Sequence, residues 1–221
     1  TLSTFLNYFL SDANDIRLSQ WLYGPQTWAD GSPMMVRTTK KGYDQFYSGS
    51  DGSATYTYQL NIDTAIQLRQ NVTLFDCGND EIAWNQGARN IKFFPDASST
   101  TRNQNNDVPV FRYSDILLTK AEAILRGGTA TSGHTALSLV NMIRSNRTTS
   151  PAWTSVDLAS LYEERGRELA WECQRRTDMI RFGKFEAPYG FKTNADPTRR
   201  LFPIPTTART ANPKLEQNPG Y

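Results

Sequence analysis

The chain has 221 residues and a net charge of +2, enough length for a buried core and too little charge bias for a nucleic-acid footprint or a membrane-surface patch. Its two cysteines, Cys77 and Cys173, are too few for a disulfide framework, and with the single histidine, His134, they make no zinc set. The aromatic content of 12%, with five Trp and ten Tyr in a hydrophilic chain, is the compositional outlier, because flat amphipathic rings suit ligand surfaces.

In chain order, Leu2, Phe5, Leu6 and Phe9 fall at helical spacing and make an apolar stripe with no partner beside it in the sequence. No apolar run approaches a membrane span, and no signal peptide or lipidation cysteine opens the chain. After the polar Ser11–Asp15, the stretch from Trp21 to Pro95 carries Gly24-Pro25, Asp30-Gly31, Asp51-Gly52 and Gly78-Asn79, so it predicts loops with small hairpins. Tyr56, Tyr58, Leu60 and Ile62 alternate with Thr55, Thr57, Gln59 and Asn61, the period of a strand with one covered face. Met34 to Thr38 and Ile91 to Phe94 are weaker strand candidates. Asp96 to Asp107 is a run of Ser, Thr, Asn and Gln that reads as a surface loop.

Val108 to Lys184 predicts helices. Ile116, Leu117, Leu118, Ala121, Ile124 and Leu125 sit at helical spacing ahead of Gly127-Gly128, which reads as a glycine stop. Ala136, Leu139, Val140 and Ile143 share one face of a second helix, making an antiparallel hairpin with the first. It resembles one tetratricopeptide unit, though no second copy follows. A third, more polar helix is expected behind a Thr154–Asp157 capping box, with Leu158, Leu161, Tyr162, Leu169 and Cys173 as its apolar stripe. There Cys173 would act as a small buried hydrophobe. Prolines at 203 and 205 force an extended path, and Asn212–Tyr221 reads as a strap over the body. The expected fold is mainly α: a tetratricopeptide-like hairpin and further helices with long loops and small β-hairpins. Residues 1–105 form the loop-rich part and 106–221 the helical part.

Three stretches in this order, VPVFRYSDILLTKAEA, VNMIR and ERGRELAWECQRRTDMIRFGK, closed by LFPIP and NPKLEQNPGY, resemble the C-terminal part of the SusD/RagB family. The resemblance covers Asn106 to Tyr221 well and the earlier chain only in pieces such as NDIR and YGPQ. It implies a surface-exposed outer-membrane lipoprotein that binds glycans, or in some members peptides, and caps a TonB-dependent outer-membrane transporter. It also implies that the export signal, the lipid-bearing cysteine and an N-terminal helical half lie upstream.

The residues offer little for catalysis. Glu164, Glu168 and Glu172 share a helical face, but pairing of Glu163 and Glu164 with Arg167, and of Glu172 with Arg175 and Arg176, explains them as structural ion pairs. His134, beside Gly133 and read as exposed, has no nucleophile set around it. No phosphate loop and no calcium-loop spacing occurs, so neither cofactor nor metal is expected. What remains is aromatic: Trp21, Tyr23 and Trp28 in a Gly-Pro region, Tyr43, Phe46 and Tyr47 in a second, and Trp84 with Asn85 in a third. Sugars stack their C–H faces on such rings while their hydroxyls need amide and charged partners. Trp153 and Trp171 read as packing residues instead. The expected function is non-enzymatic capture of an oligosaccharide. Its rivals are an adhesin or scaffold using the same rings for protein contact, and a glycosidase built on Asp30, Asp44 or Glu81, the loop acids near the aromatics.

Overall fold

The apolar stripe of the first residues finds its partner 160 residues away. In the computed structural model, which describes residues 1–38, 56–66, 84–100 and 106–221, α1 (Ser3–Leu10) buries Phe5, Leu6 and Phe9. They meet Trp21, Ala88 and Ala170 in one cluster. Trp21 meets Phe5 edge-on and Phe9 at a tilt, at centroid distances of 6.1 and 5.1 Å, and these contacts order the cluster.

Most of the described regular structure is helical. The larger core lies between α2 (Tyr113–Leu125), α3 (Ala136–Arg144) and α4 (Leu158–Glu168). The face expected for α3 is the buried one, with Leu139 and Val140 fully covered and packed on Leu117, Leu118 and Leu161. The glycine stop of α2 is a Schellman closure: the Gly127 N–H donates to the Ile124 carbonyl (3.0 Å) and the Gly128 N–H to that of Ala123 (2.8 Å). Gly127 takes φ +97°, where a side chain is strained. At α3, Thr135 and Ser138 form a capping box.

The third helix departs from expectation in three ways. Its cap is Asp157 with Ser160, not Thr154 with Asp157, because Asp157 itself occupies the N-cap and accepts from the Ser160 N–H at 2.8 Å. It stops at Glu168, and a separate helix, α5 (Arg175–Arg181), follows. In the corner between them Trp171 and Cys173 adopt φ +60° and +61°, so both point outward: Trp171 is 60% exposed and Cys173 is an exposed free thiol. Neither packs in the core as expected. Cys77 lies outside the described residues. His134 is half-buried rather than exposed, with Nδ1 3.1 Å from the Lys120 ammonium.

Strands are short and paired two by two. β1 (Trp21–Leu22) pairs with β6 (Arg89–Asn90), β2 (Gly24–Pro25) with β5 (Asn61–Ile62), and β3 (Met35–Thr38) with β4 (Tyr56–Gln59), all antiparallel. The alternating run is therefore a strand, whereas Ile91–Phe94 is a turn and the pairing sits two residues earlier. In the tail, a 3₁₀ turn (Pro197–Arg200) and α6 (Thr206–Ala211) flank the extended Phe202–Pro205. The last residues bond back to it: the Tyr221 hydroxyl donates to the Leu201 carbonyl (2.9 Å), and Gln217 both accepts from and donates to the Ile204 backbone.

Charged groups tie the loops to the helices. Glu168, with 1% of its side chain exposed, accepts from Arg17, Arg112 and Arg147 at 2.9–3.0 Å. Glu164 accepts from Arg17 and Arg167, both at 2.8 Å. Glu163 and Glu164 pair with Arg167 as the spacing predicts, but Glu172 does not meet Arg175 or Arg176. The break after Glu168 turns its carboxylate toward Lys92 and Arg112 instead. On the other side of α4, Arg165 pairs with Asp115 and Asp178, both at 3.0 Å, and Arg181 joins Asp178 to Glu122.

Candidate functional site

Short ladders hold the aromatic loops. The Gln26 N–H donates to the Leu60 carbonyl (2.8 Å), the Leu60 N–H to that of Met34 (2.8 Å), and the Met34 N–H to that of Gln26 (3.0 Å). Three chain segments are thus knotted at Leu60. Beyond the knot, a bridge between Thr27 and Pro33 leads into the turn Trp28–Gly31. The Gly31 N–H closes it on the Trp28 carbonyl (2.9 Å), with Gly31 at φ +82°. Asp30 locks the turn by accepting from the Ser32 hydroxyl (2.6 Å) and amide (2.9 Å). Those two bonds hold its carboxyl below the ordinary carboxylate range. Trp28, at the tip, is 59% exposed.

The segment that carries Trp84 attaches a few residues past Leu60, at Asp63. Asp63 bridges Gln86, its N–H donating to the Asn85 carbonyl (3.1 Å) and its carbonyl accepting from the Gly87 N–H (2.6 Å). Gly87 is required there: it has φ +81°, and a Cβ would stand 2.8 Å from Ile66 Cδ1 and 3.2 Å from the Thr1 carbonyl oxygen. The Arg89 guanidinium donates to the carbonyls of Trp84 and Gln86 from behind. Trp84 is 44% exposed and Asn85 half-buried. Leu60 and Asp63, the two attachment points, are about 10 Å apart along an extended chain.

The other candidate rings are placed differently. Trp21 is 4% exposed and packs within the α1 cluster, which leaves it no surface for a ligand. Tyr23 is half-buried against the same cluster. Tyr43, Phe46 and Tyr47 lie outside the described residues, as do Asp44 and Glu81. Two polar groups went unmarked in the sequence: Gln26, whose amide donates to the Tyr23 and Gly24 carbonyls, and Gln59, whose amide reaches the Gln26 carbonyl (3.1 Å). Amides in a polar loop carry no local signal for that role.

Among the described residues no group of three or more His, Cys, Asp or Glu side chains could hold a metal ion. Among them, too, no helix is long and apolar enough to cross a membrane.

Comparison with known proteins agrees with the helical arrangement. A starch-binding protein, SusD of Bacteroides thetaiotaomicron, is 30% identical over 126 residues, 53% of this chain and 22% of that protein. SusD-like protein P38 of Formosa agariphila is 33% identical over 129 residues, 53% of this chain and 25% of its own length. The chain therefore aligns with about a quarter of each curated relative. A crystal structure of a SusD superfamily protein from Parabacteroides distasonis shares the fold over 99% of this chain and 41% of its own, with a TM-score of 0.57 and 21% identity. The sequence pattern of the SusD family matches residues 10–221, and the chain belongs to that family.

Proposed function

We propose that the protein captures an oligosaccharide without breaking a bond in it and hands it to a TonB-dependent outer-membrane transporter. In this reading it is a surface-exposed lipoprotein of the outer membrane. The observation that carries the capture step is the exposed Trp28 ring, carried at the tip of a turn whose backbone the hydrogen bonds and the Asp30 lock hold in place before any ligand arrives. A turn already ordered loses little backbone freedom on stacking, so more of the contact energy remains as affinity. Membership of the SusD family, with a starch-binding relative, supports a glycan as the cargo. The hydrogen bonds from Ser32 to Asp30 argue against that residue as the general acid of a glycosidase, because a general acid needs a raised pKa and this one is lowered.

The test is retention in a native gel containing starch or another neutral glucan. Replacement of Trp28 or Trp84 by Ala should each weaken retention by about fivefold, the value of about 1 kcal/mol for a stacked ring. Unchanged retention in the double variant, or release of reducing ends by the wild type, would overturn the reading. A protein-contact role has separate support in the exposed run Val108, Val110, Phe111, Tyr113 and Ile116. If the Trp28/Trp84 variant lost a protein partner but kept the glycan, that role would replace capture.

A further inference from the structure

One cleft outside the aromatic loops is lined by cations that share a single carboxylate on its walls. It has a volume of about 370 Å³ and lies between the 3₁₀ turn of Ile16–Gln20, residues 91 and 92, and α4. Arg17, Lys92, Arg112, Arg147 and Arg167 line it, against one carboxylate, Glu168.

Asp15 and Glu164 stand behind Arg17, Glu164 behind Arg167, and Glu172 behind Lys92 and Arg112. Arg147 instead shares Glu168 with Arg17 and Arg112, so three guanidiniums converge on a single carboxylate. Arg167 has Glu163 as well as Glu164 behind it, so the acids around the cleft balance its cations, but not evenly: at the Arg112–Arg147 end, where the two side chains are 25% and 31% exposed, Arg147 pairs with no acid other than the shared Glu168. A guanidinium has five N–H donors in a planar fork, which leaves Arg147 room for a second oxyanion beside Glu168. An independent sign comes from Gln20 in the same wall: its amide nitrogen is buried and has no hydrogen-bond partner among the described residues. A buried donor left unpaired is costly unless something supplies an acceptor. The lowering of the Glu168 pKa, which hydrogen bonds from Arg147 and Arg112 impose against burial, agrees with guanidiniums crowding this end.

We propose that this cleft takes a singly charged oxyanion, the carboxylate of a uronic acid or a sulfate ester, carried on the captured oligosaccharide. Its attachment to a sugar rests on the capture reading; the oxyanion rests on the cleft. Arg147 would bind it through its outward N–H groups, and Gln20 would supply the neutral donor.

The experiment is a nuclear magnetic resonance titration of the protein with glucuronate, glucose 6-sulfate and glucose at fixed chloride, following arginine Nε–H and glutamine side-chain signals. The expected result is a saturable shift at Arg147, Arg112 and Gln20 with one or both acidic sugars and none with glucose. Which acid saturates identifies the carboxylate or the sulfate as the natural group. Arg147→Gln should weaken the acidic sugar at least tenfold, and a thermal melt of the variant separates this loss from unfolding. Should the variant fail to fold, the wild-type titration still decides. No saturation, or equal shifts with glucose, overturns the oxyanion site. If neutral glucan is still retained through Trp28 in that case, the capture reading survives. Oxyanion binding without retention of any glycan would sink the capture reading and leave the cleft standing.

Discussion

Trp28 and Glu168 mark the two extremes of what a single side chain does in this molecule. The Trp28 ring is 59% exposed and its neighbours hold the backbone, not the indole, so its removal takes away the proposed stacking face and almost no packing. Trp28→Ala should leave the denaturant midpoint within about 0.5 kcal/mol of wild type while glycan retention falls, and a shift of both together would mean that the ring anchors its loop. Glu168 is the reverse case. Burial alone would push its carboxyl up, yet hydrogen bonds from Arg147 and Arg112 outweigh burial and hold it at about 2. Replacing it with Gln keeps the shape and deletes the charge facing three guanidiniums. The expected cost is about 3–5 kcal/mol, that of leaving buried cations uncompensated, read from urea unfolding followed by circular dichroism. A cost below about 1 kcal/mol would show that water already screens the site.

At the scale of elements, the corner between α4 and α5 is where local pattern and structure part. Leu169-Ala-Trp-Glu-Cys-Gln174 contains neither Gly nor Pro, and nothing nearby ends the helix. The stop comes from afar: the Lys92 ammonium takes the carbonyls of Glu168 (3.1 Å) and Ala170 (3.2 Å), and Arg112 takes that of Glu168 (2.6 Å). Cations at a helix C-terminus both complement its dipole and satisfy its last carbonyls. Their sequence separation of up to 78 residues hides them from any periodicity argument. By contrast, the α2–α3 hairpin was legible because Leu139, Val140 and Gly127-Gly128 carry local signals: a repeat of 3.6 and a residue that tolerates positive φ. The candidate site was half legible for the same reason. Composition singles out Trp28 and Trp84 but equally Trp21, and only the pairing of distant strands separates a tip from a core ring. The corner makes its own prediction. Cys173 sits at φ +61° with its side chain exposed, so Cys173→Gly removes a left-handed strain of about 1–2 kcal/mol and adds about 0.5–1 kcal/mol of unfolded-state freedom. The net should be a small rise in thermal midpoint, whereas a fall would show that the thiol packs against something that stabilises the corner.

For the molecule as a whole, the balance of its charged groups sets how it responds to acid. Two ion-pair networks flank α4, one running from Asp12 and Arg144 through Glu164 and Glu168 to Lys92, the other from Asp115 through Arg165 and Asp178 to Glu122. They join α1's loop, the strand region and every helix from α2 to α5, so one titration loosens all these contacts together. The carboxyls with a resolved shift in these networks, Asp12, Glu122 and Glu168, are all lowered. A lowered folded-state pKa means that the unfolded chain binds the proton first. Their contribution is therefore complete above the unfolded-state values near 4.5 and is lost as the pH falls through that range toward 2. For Glu168 the displacement from 4.5 to about 2 corresponds to about 3 kcal/mol, with little screening because the side chain is 1% exposed. Urea unfolding at a series of pH values should therefore give a flat stability above about pH 5 and a fall of several kcal/mol between pH 5 and 2. In Glu168→Gln the slope across that window should be shallower, because one of its protons no longer titrates. An identical slope in the variant would assign the acid response to other carboxylates and remove Glu168 from the centre of the network.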